Sequence, residues 1–279
     1  MLSFTVKPNL ICGFLSRFYN YNSICNVTGL GTLFLRGSFI KFLSLFLYKI
    51  CFKKIYHVFF HNINDKKIFT KNLVINDYNS SIVPGSGVNL DYFHYDKKKY
   101  FQNKEIVFLY LGRIMKDKGI NEYIKAIETL ITFKFNIKFI FAGAIDNKNK
   151  NLNNKFNQLI KNNKIIFYKD ILDVRNLLKI SDCIVLPSYR EGLSKSLLEA
   201  SATGRPMLVS DVPGCNDIVD DGVNGFLFEP KNYKSLQNCL IKFINLSEEE
   251  KNLMAKNSYI KSFNFDEKII IDKYLNLIN

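Results

Sequence analysis

Between residues 105 and 228 short apolar runs alternate with stretches of helical period, the pattern of a parallel sheet whose strands are joined by crossover helices. Runs at 106–111, 137–142, 165–168, 183–186, 207–209 and 226–228 predict six strands. After the first of these, Ile120, Tyr123, Ile124, Ile127, Leu130 and Ile131 recur at intervals of three and four, which places them on one stripe of a helix. A shorter crossover over 173–180 carries Val174, Leu177 and Leu178, with Asp173 as its predicted cap. Residues 147–154 read as a polar loop. Ser247 and Glu250 predict a capping box ahead of a helix to about Tyr259, and Ile269, Ile270, Tyr274, Leu275 and Ile278 predict a final amphipathic helix over 265–279.

The first hundred residues are less regular. Residues 39–52, FIKFLSLFLYKICF, form the most apolar stretch, yet a bilayer-spanning helix needs about 20 apolar residues and this run is shorter. Its default reading is a helix buried against the sheet of the first half. The alternative is a basic amphipathic helix lying on anionic lipid, since Lys41, Lys49, Lys53 and Lys54 punctuate it. Residues 58–62 predict a buried strand, and Asp65 the beginning of a short helix.

Composition sharpens this outline. With 279 residues and 47% hydrophobic content the chain can form two modest cores, and wholesale disorder is excluded. The formal charge of +14 is concentrated early: residues 1–100 hold 13 Lys and Arg against 4 Asp and Glu, whereas residues 201–279 hold 9 against 11. A basic front half favours an anionic partner such as a lipid diphosphate or an acidic membrane surface. Nucleic acid is not expected as a partner, because the cations are not interleaved with a recognition motif. Cysteines 12, 25, 51, 183, 215 and 239 show neither disulfide-scaffold nor zinc-site spacing and read as reduced thiols. His57, His61 and His94 suggest no metal array, so no metal and no cofactor is expected. The amino-terminal stretch makes a poor secretory signal, and a cytoplasmic location is expected, with a peripheral place on the inner face of the cell membrane as the refinement.

The candidate chemistry lies after the predicted strand ends. Glu191 falls on the loop that follows the 183–186 strand, and Glu199 falls inside a helix predicted to start at Ser194. A carboxylate accepts from paired hydroxyls, so one could hold a sugar and the other a ribose. The amides of Gly192, Leu193 and Ser194 would open that helix toward a diphosphate. Each of these acids could also be a solvated helix-end charge, and Arg113 and Lys118 surface cations. Their common position beyond the carboxyl ends of strands, where open parallel sheets bind ligands, favours a site.

These segments together resemble a known family. Residues 187–230, the Leu111-Gly112-Arg113 and Lys118-Gly119 pair, the 83–93 loop and Thr28-Gly29-Leu30-Gly31-Thr32 look like the motifs of retaining glycosyltransferases of family 4, in the same order. The resemblance implies an α/β fold of the GT-B type, two Rossmann-like domains with the amino-terminal one incomplete. It divides the chain into 1–100 (acceptor side), 101–263 (donor nucleotide) and a 264–279 helix that either crosses back onto the first domain or caps the second. Finer features, Asp211-Val-Pro-Gly-Cys215 and Gly222-Val-Asn-Gly-Phe226, resemble bacterial enzymes that add N-acetylgalactosamine or a related sugar to undecaprenyl-diphosphate-linked saccharides.

By this resemblance Gly112, Arg113 and Lys118 hold the diphosphate of a UDP-sugar donor, Glu191 orients the transferred sugar, Glu199 fixes the ribose, and Gly29 and Gly31 line the cleft opposite the donor. Anomeric configuration is retained, and no divalent ion is needed, in keeping with a chain that contains no Asp-x-Asp pair. Two departures stand out: the family's opening strand and glycine-rich loop are missing before residue 1, and Lys169 stands where a glycine usually lies near the base. Accordingly a truncated, inactive or partner-dependent sugar-nucleotide binder, or a sugar-nucleotide epimerase of the same architecture, remains as an alternative.

Overall fold

A computed structural model describes residues 1–31, 34, 37–95, 105–133 and 135–278. The chain divides into two compact units: Met1–Gly87 with Arg190–Ser194 and Glu267–Asn279, and Val88–Tyr189 with Lys195–Asp266. The first unit ends at Gly87, earlier than the boundary at residue 100, which lies outside the described residues. It also takes in a five-residue segment from the middle of the chain, which no local composition signals.

In the first unit β1 (Leu2–Phe4), β2 (Ile24–Val27), β3 (His57–Phe60) and β4 (Ser80–Ile82) form a parallel sheet in sequence order. Strand β3 is shorter than the 58–62 run suggested, because Asn62 turns to cap α3 (Ile63–Lys71) by accepting from the Asp65 amide at 2.8 Å. Asp65 is therefore in the first turn of that helix and does not begin it. Val58 and Phe60 point to one face of the sheet, where Cys12, Tyr48, Phe52 and Phe69 complete a core. Phe59 points to the other face with Ile24, Val83 and Ile270. The latter belongs to α10 (Glu267–Ile278), which also supplies Tyr274 as partner to the Asn26 amide and Lys273, whose Nζ donates to the Ile82 carbonyl at 2.9 Å.

The helix α1 (Val6–Leu15) packs on α2 (Ser38–Cys51), and here the sequence reading needs correction. Leu45, Tyr48 and Cys51 of α2, with Phe52 just beyond, face the core, whereas Phe39, Phe42, Leu43, Phe46 and Leu47 are exposed. An apolar run with two apolar faces has only one that can meet a single sheet.

The second unit contains the six strands expected, with ends within one residue: β5 (Ile106–Leu111), β6 (Ile137–Ala142), β7 (Ile166–Tyr168), β8 (Cys183–Leu186), β9 (Met207–Ser210) and β10 (Gly225–Phe228). They are all parallel in the order β10-β9-β8-β5-β6-β7. Helix α4 (Ile120–Leu130) lays its predicted stripe on the sheet and packs against α8 (Tyr233–Ile244), while α7 (Lys195–Ala202) packs against α9 (Glu248–Ser262). The Ser247–Glu250 capping box is formed in full.

Two expectations fail in this unit. Residues 147–154 are not a plain loop: Asn149 caps α5 (Lys150–Lys161), whose Leu152, Phe156 and Leu159 bury one stripe beneath an otherwise polar surface. Asp173 does not cap α6 (Arg175–Ile180) from the N-cap position, which Val174 occupies; its carboxylate instead accepts from both the amide and the guanidinium of Arg175. The other end of α6 is held by Arg205, fully buried, whose Nε donates to the Leu178 carbonyl at 2.5 Å and whose Nη2 donates to that of Lys179 at 3.2 Å.

The two units carry buried groups that respond to acid in opposite senses. In the first, burial pulls the His61 imidazole down to about 4, with no hydrogen-bond partner for Nε2 among the described residues. In the second, burial pushes the Asp182 carboxyl up to about 6 even though it accepts from the Val107 amide at 2.7 Å. Below about pH 6.5 the unfolded chain protonates the histidine and the folded chain does not, so His61 withdraws stability as pH falls toward 4. Asp182 is protonated in the folded chain at a pH where the unfolded chain has released the proton, so it adds stability as pH falls from 6 toward 4. His61→Gln is expected to lose about 2–3 kcal/mol less than the parent between pH 7 and pH 4.5 in urea unfolding. Parallel pH profiles for the two proteins would refute this.

Candidate functional site

The second sheet reverses its direction of growth at β5: the chain builds outward through β6 and β7, then returns to place β8 on the opposite side of β5. Loops leaving the carboxyl ends of β5 and β8 therefore emerge side by side, the location where open parallel sheets bind ligands. Gly112 and Arg113 follow β5 directly. Tyr110 Oη donates to the Arg113 carbonyl at 2.7 Å, and the Gly112 amide donates to Ala142 at 3.0 Å, so the backbone here is held while the Arg113 side chain is exposed.

Beyond Ile114 the chain makes a single 3₁₀ turn, Lys116–Lys118, closed by Gly119 in the left-handed conformation at φ 69°. A side chain at Gly119 is excluded twice, by that φ and by the Pro187 carbonyl oxygen 1.9 Å from where its Cβ would be. The Tyr189 amide donates to the Asp117 carbonyl at 2.9 Å, and Tyr189 Oη donates to Glu122 at 2.8 Å. The turn bearing Lys118 is thus seated on the segment that follows β8.

Helix α7 begins at Lys195, one residue later than the sequence suggested, leaving Ser194 outside it. Glu199 is in its middle, with its side chain 13% exposed and Lys195 Nζ 3.9 Å from Oε1. Burial raises the Glu199 carboxyl above the ordinary range, and Lys195 pulls the other way. Farther along the sheet edge, Lys169 is exposed beside Asp170, and it is Asp170, at φ 51°, that takes the left-handed backbone.

Glu191, Gly192, Leu193 and Ser194 belong to the first unit, and their backbone is fixed there by groups the sequence reading passed over. Arg190 Nη2 pairs with the Asp65 carboxylate, which also accepts from the Leu30 amide at 3.2 Å. The Asn62 side-chain amide donates to the Gly192 carbonyl at 2.8 Å. Asp65 is fully buried, and burial raises its carboxyl pKa, opposed by Arg190, the Asn62 side chain and the Leu30 amide. Gly192 and Gly29 meet backbone to backbone: a Cβ on Gly192 would lie 1.8 Å from the Thr28 carbonyl oxygen, and one on Gly29, at φ 131°, would lie 2.8 Å from the Gly192 Cα.

Gly29 therefore serves a close approach of two chain segments. Gly31, at φ 59°, has no described atom within 4 Å of where its Cβ would be; Thr32, the end of that motif, is outside the described residues. Asp65 and Arg190 are 125 positions apart in the chain, and the sole local hint was that Arg190 precedes Glu191. Among the described residues no three His, Cys, Asp or Glu side chains gather as a metal-binding group, and no helix is long and apolar enough to cross a membrane.

The chain is similar to known proteins of one family. The profile of glycosyl transferases group 1 matches residues 92–260. The chain is 30% identical over 268 residues to the N,N'-diacetylbacillosaminyl-diphospho-undecaprenol alpha-1,3-N-acetylgalactosaminyltransferase of Campylobacter jejuni, a match covering 90% of this chain and 68% of that one. It is 28% identical to the UDP-Gal:alpha-D-GlcNAc-diphosphoundecaprenol alpha-1,3-galactosyltransferase of Escherichia coli over 78% of this chain, but spans only 59% of that enzyme's length. Among solved structures, Anabaena Alr3699/HepE in complex with UDP superposes with a TM-score of 0.82 over 99% of this chain and 78% of its own, at 17% identity. The fold is α/β of the GT-B type, and the chain belongs to the glycosyl transferases group 1 family.

Proposed function

We propose that the chain is a retaining glycosyltransferase that moves a hexose or N-acetylhexosamine from a UDP-sugar to an undecaprenyl-diphosphate-linked or related glycan acceptor, working peripherally at the inner face of the cell membrane. The observation that carries this reading is the seating of the Lys116–Lys118 turn on Pro187 and Tyr189, which sets the cationic loop of β5 beside the loop of β8 at the point where the sheet reverses. The names of the Campylobacter and Escherichia relatives support the lipid-linked acceptor, and the latter supports the UDP donor.

Breaking the bond between sugar and diphosphate gathers negative charge on the departing phosphate as positive charge grows at the anomeric carbon. Arg113 and Lys118 neutralise that phosphate in place of a divalent ion. Glu199 accepts from the ribose hydroxyls, and Glu191 from those of the transferred sugar.

The test is transfer of radiolabelled UDP-sugars to a bacterial lipid extract, with and without EDTA. Labelled lipid product that is insensitive to EDTA is expected. Glu199→Ala should raise the KM for donor by about tenfold or more while changing kcat little, since a lost hydrogen bond to a charged group is worth about 1.5–3 kcal/mol. Turnover of the donor with no acceptor present would identify an epimerase instead, and a chain that binds UDP without product would contradict the transferase reading.

A further inference from the structure

The outward face of α2 is an apolar feature that the proposed chemistry leaves unused. Phe39, Phe42 and Phe46 are 75%, 67% and 50% exposed and recur at helical spacing, with Leu43 and Leu47 beside them. The rings of Phe42 and Phe46 stack at 6.5 Å. At the end of α1, Phe14 and the 69%-exposed Phe18 form an edge-on pair at 5.3 Å. Phe18 and Phe46 line one open cleft of about 1470 Å³ whose rim carries Arg17, Lys49, Lys53 and Lys54.

Charge says what covers this face. The first 64 residues contain seven Lys and Arg and not one Asp or Glu, and the acid flanked by the cleft residues Asn76 and Tyr78, Asp77, is already paired with Lys66 at 2.8 Å. Exposed rings beside lysines, without acids, match the boundary between acyl chains and anionic headgroups, and match poorly a protein partner, which would need its own acidic rim. A second copy of the chain would bring cations against cations.

We infer that the outer face of α2, with the end of α1, docks the first unit onto an anionic phospholipid bilayer, rings among the acyl chains and lysines at the headgroup phosphates. The inference goes beyond the transfer reaction and needs no turnover to be examined. Co-sedimentation of the full chain with vesicles of phosphatidylcholine, alone or mixed with phosphatidylglycerol, should show partitioning onto the mixed vesicles at least about tenfold stronger, weakening as salt is raised.

Lys49→Glu/Lys53→Glu/Lys54→Glu should abolish the preference for anionic vesicles. Phe42→Ser/Phe46→Ser should weaken binding to them by about tenfold or more at unchanged thermal melting, because both rings are exposed in the folded chain. Equal partitioning of the parent onto both vesicle types would overturn the inference. So would parent-like binding by the triple variant, or a dimer in sedimentation velocity that Phe42→Ser/Phe46→Ser dissolves while no vesicle is bound.

Discussion

Gly192→Ala is expected to lower kcat/KM for sugar transfer by about a hundredfold. The added methyl has nowhere to go: it would meet the Thr28 carbonyl oxygen at 1.8 Å, the Thr28 carbonyl carbon at 2.7 Å and the Gly29 Cα at 3.1 Å, all of them backbone. Thr28 and Gly29 follow directly on β2, a strand paired on both sides, so the yielding partner must be the segment 190–194. Its displacement would strain the Asn62 contact to the Gly192 carbonyl and carry Glu191 away from its place. A shift of about 1 Å in the group proposed to orient the transferred sugar is enough for a loss of that size. Activity within a fewfold of the parent would show that the segment's backbone position has no bearing on transfer.

Lys118→Ala is expected to lower kcat by about 10²–10³-fold while leaving donor KM nearly unchanged, since charge on the leaving phosphate grows only as the bond breaks. The backbone around it is held by the close approach of Gly119 to Pro187 and by the Tyr189 amide, which donates to the Asp117 carbonyl. Glu199→Ala should show the reverse split, with the loss in KM. If both variants lose kcat and KM in the same proportion, the division between a group that stabilises the transition state and one that holds the nucleotide is wrong.

What could be read from the chain follows from how each segment is buried. The strands of the second sheet are covered on both faces, so 106–111, 137–142 and 183–186 stand out as unbroken apolar runs and their ends fall where Gly, Pro or a polar pair interrupts. The loop after β5 and Glu199 could be placed from those ends alone. Strands β1, β2 and β4 were not anticipated, because Ser3, Asn26, Ser80 and Ser81 interrupt their three or four residues and leave no unbroken apolar run. Helix α5 hid because three apolar residues among asparagines and lysines suffice to anchor it. The outward turn of α2 was unreadable for the opposite reason: leucine and phenylalanine lie on both its faces, and hydrophobicity alone does not say which one meets the sheet. The pairing of Asp65 with Arg190 joins parts of the chain 125 positions apart, beyond the reach of any local pattern.

The backbone passes from one compact unit to the other at 87/88, 189/190, 194/195 and 266/267. No single scission can therefore deliver either half intact. A fragment spanning 88–266 would hold the six-stranded sheet but leave residues 190–194 as an untethered bight, stripped of the asparagine and aspartate that grip them, and a fragment ending at 87 would lack the carboxy-terminal helix that roofs one side of its sheet. The two sheets are thus inherited together, as one indivisible polypeptide.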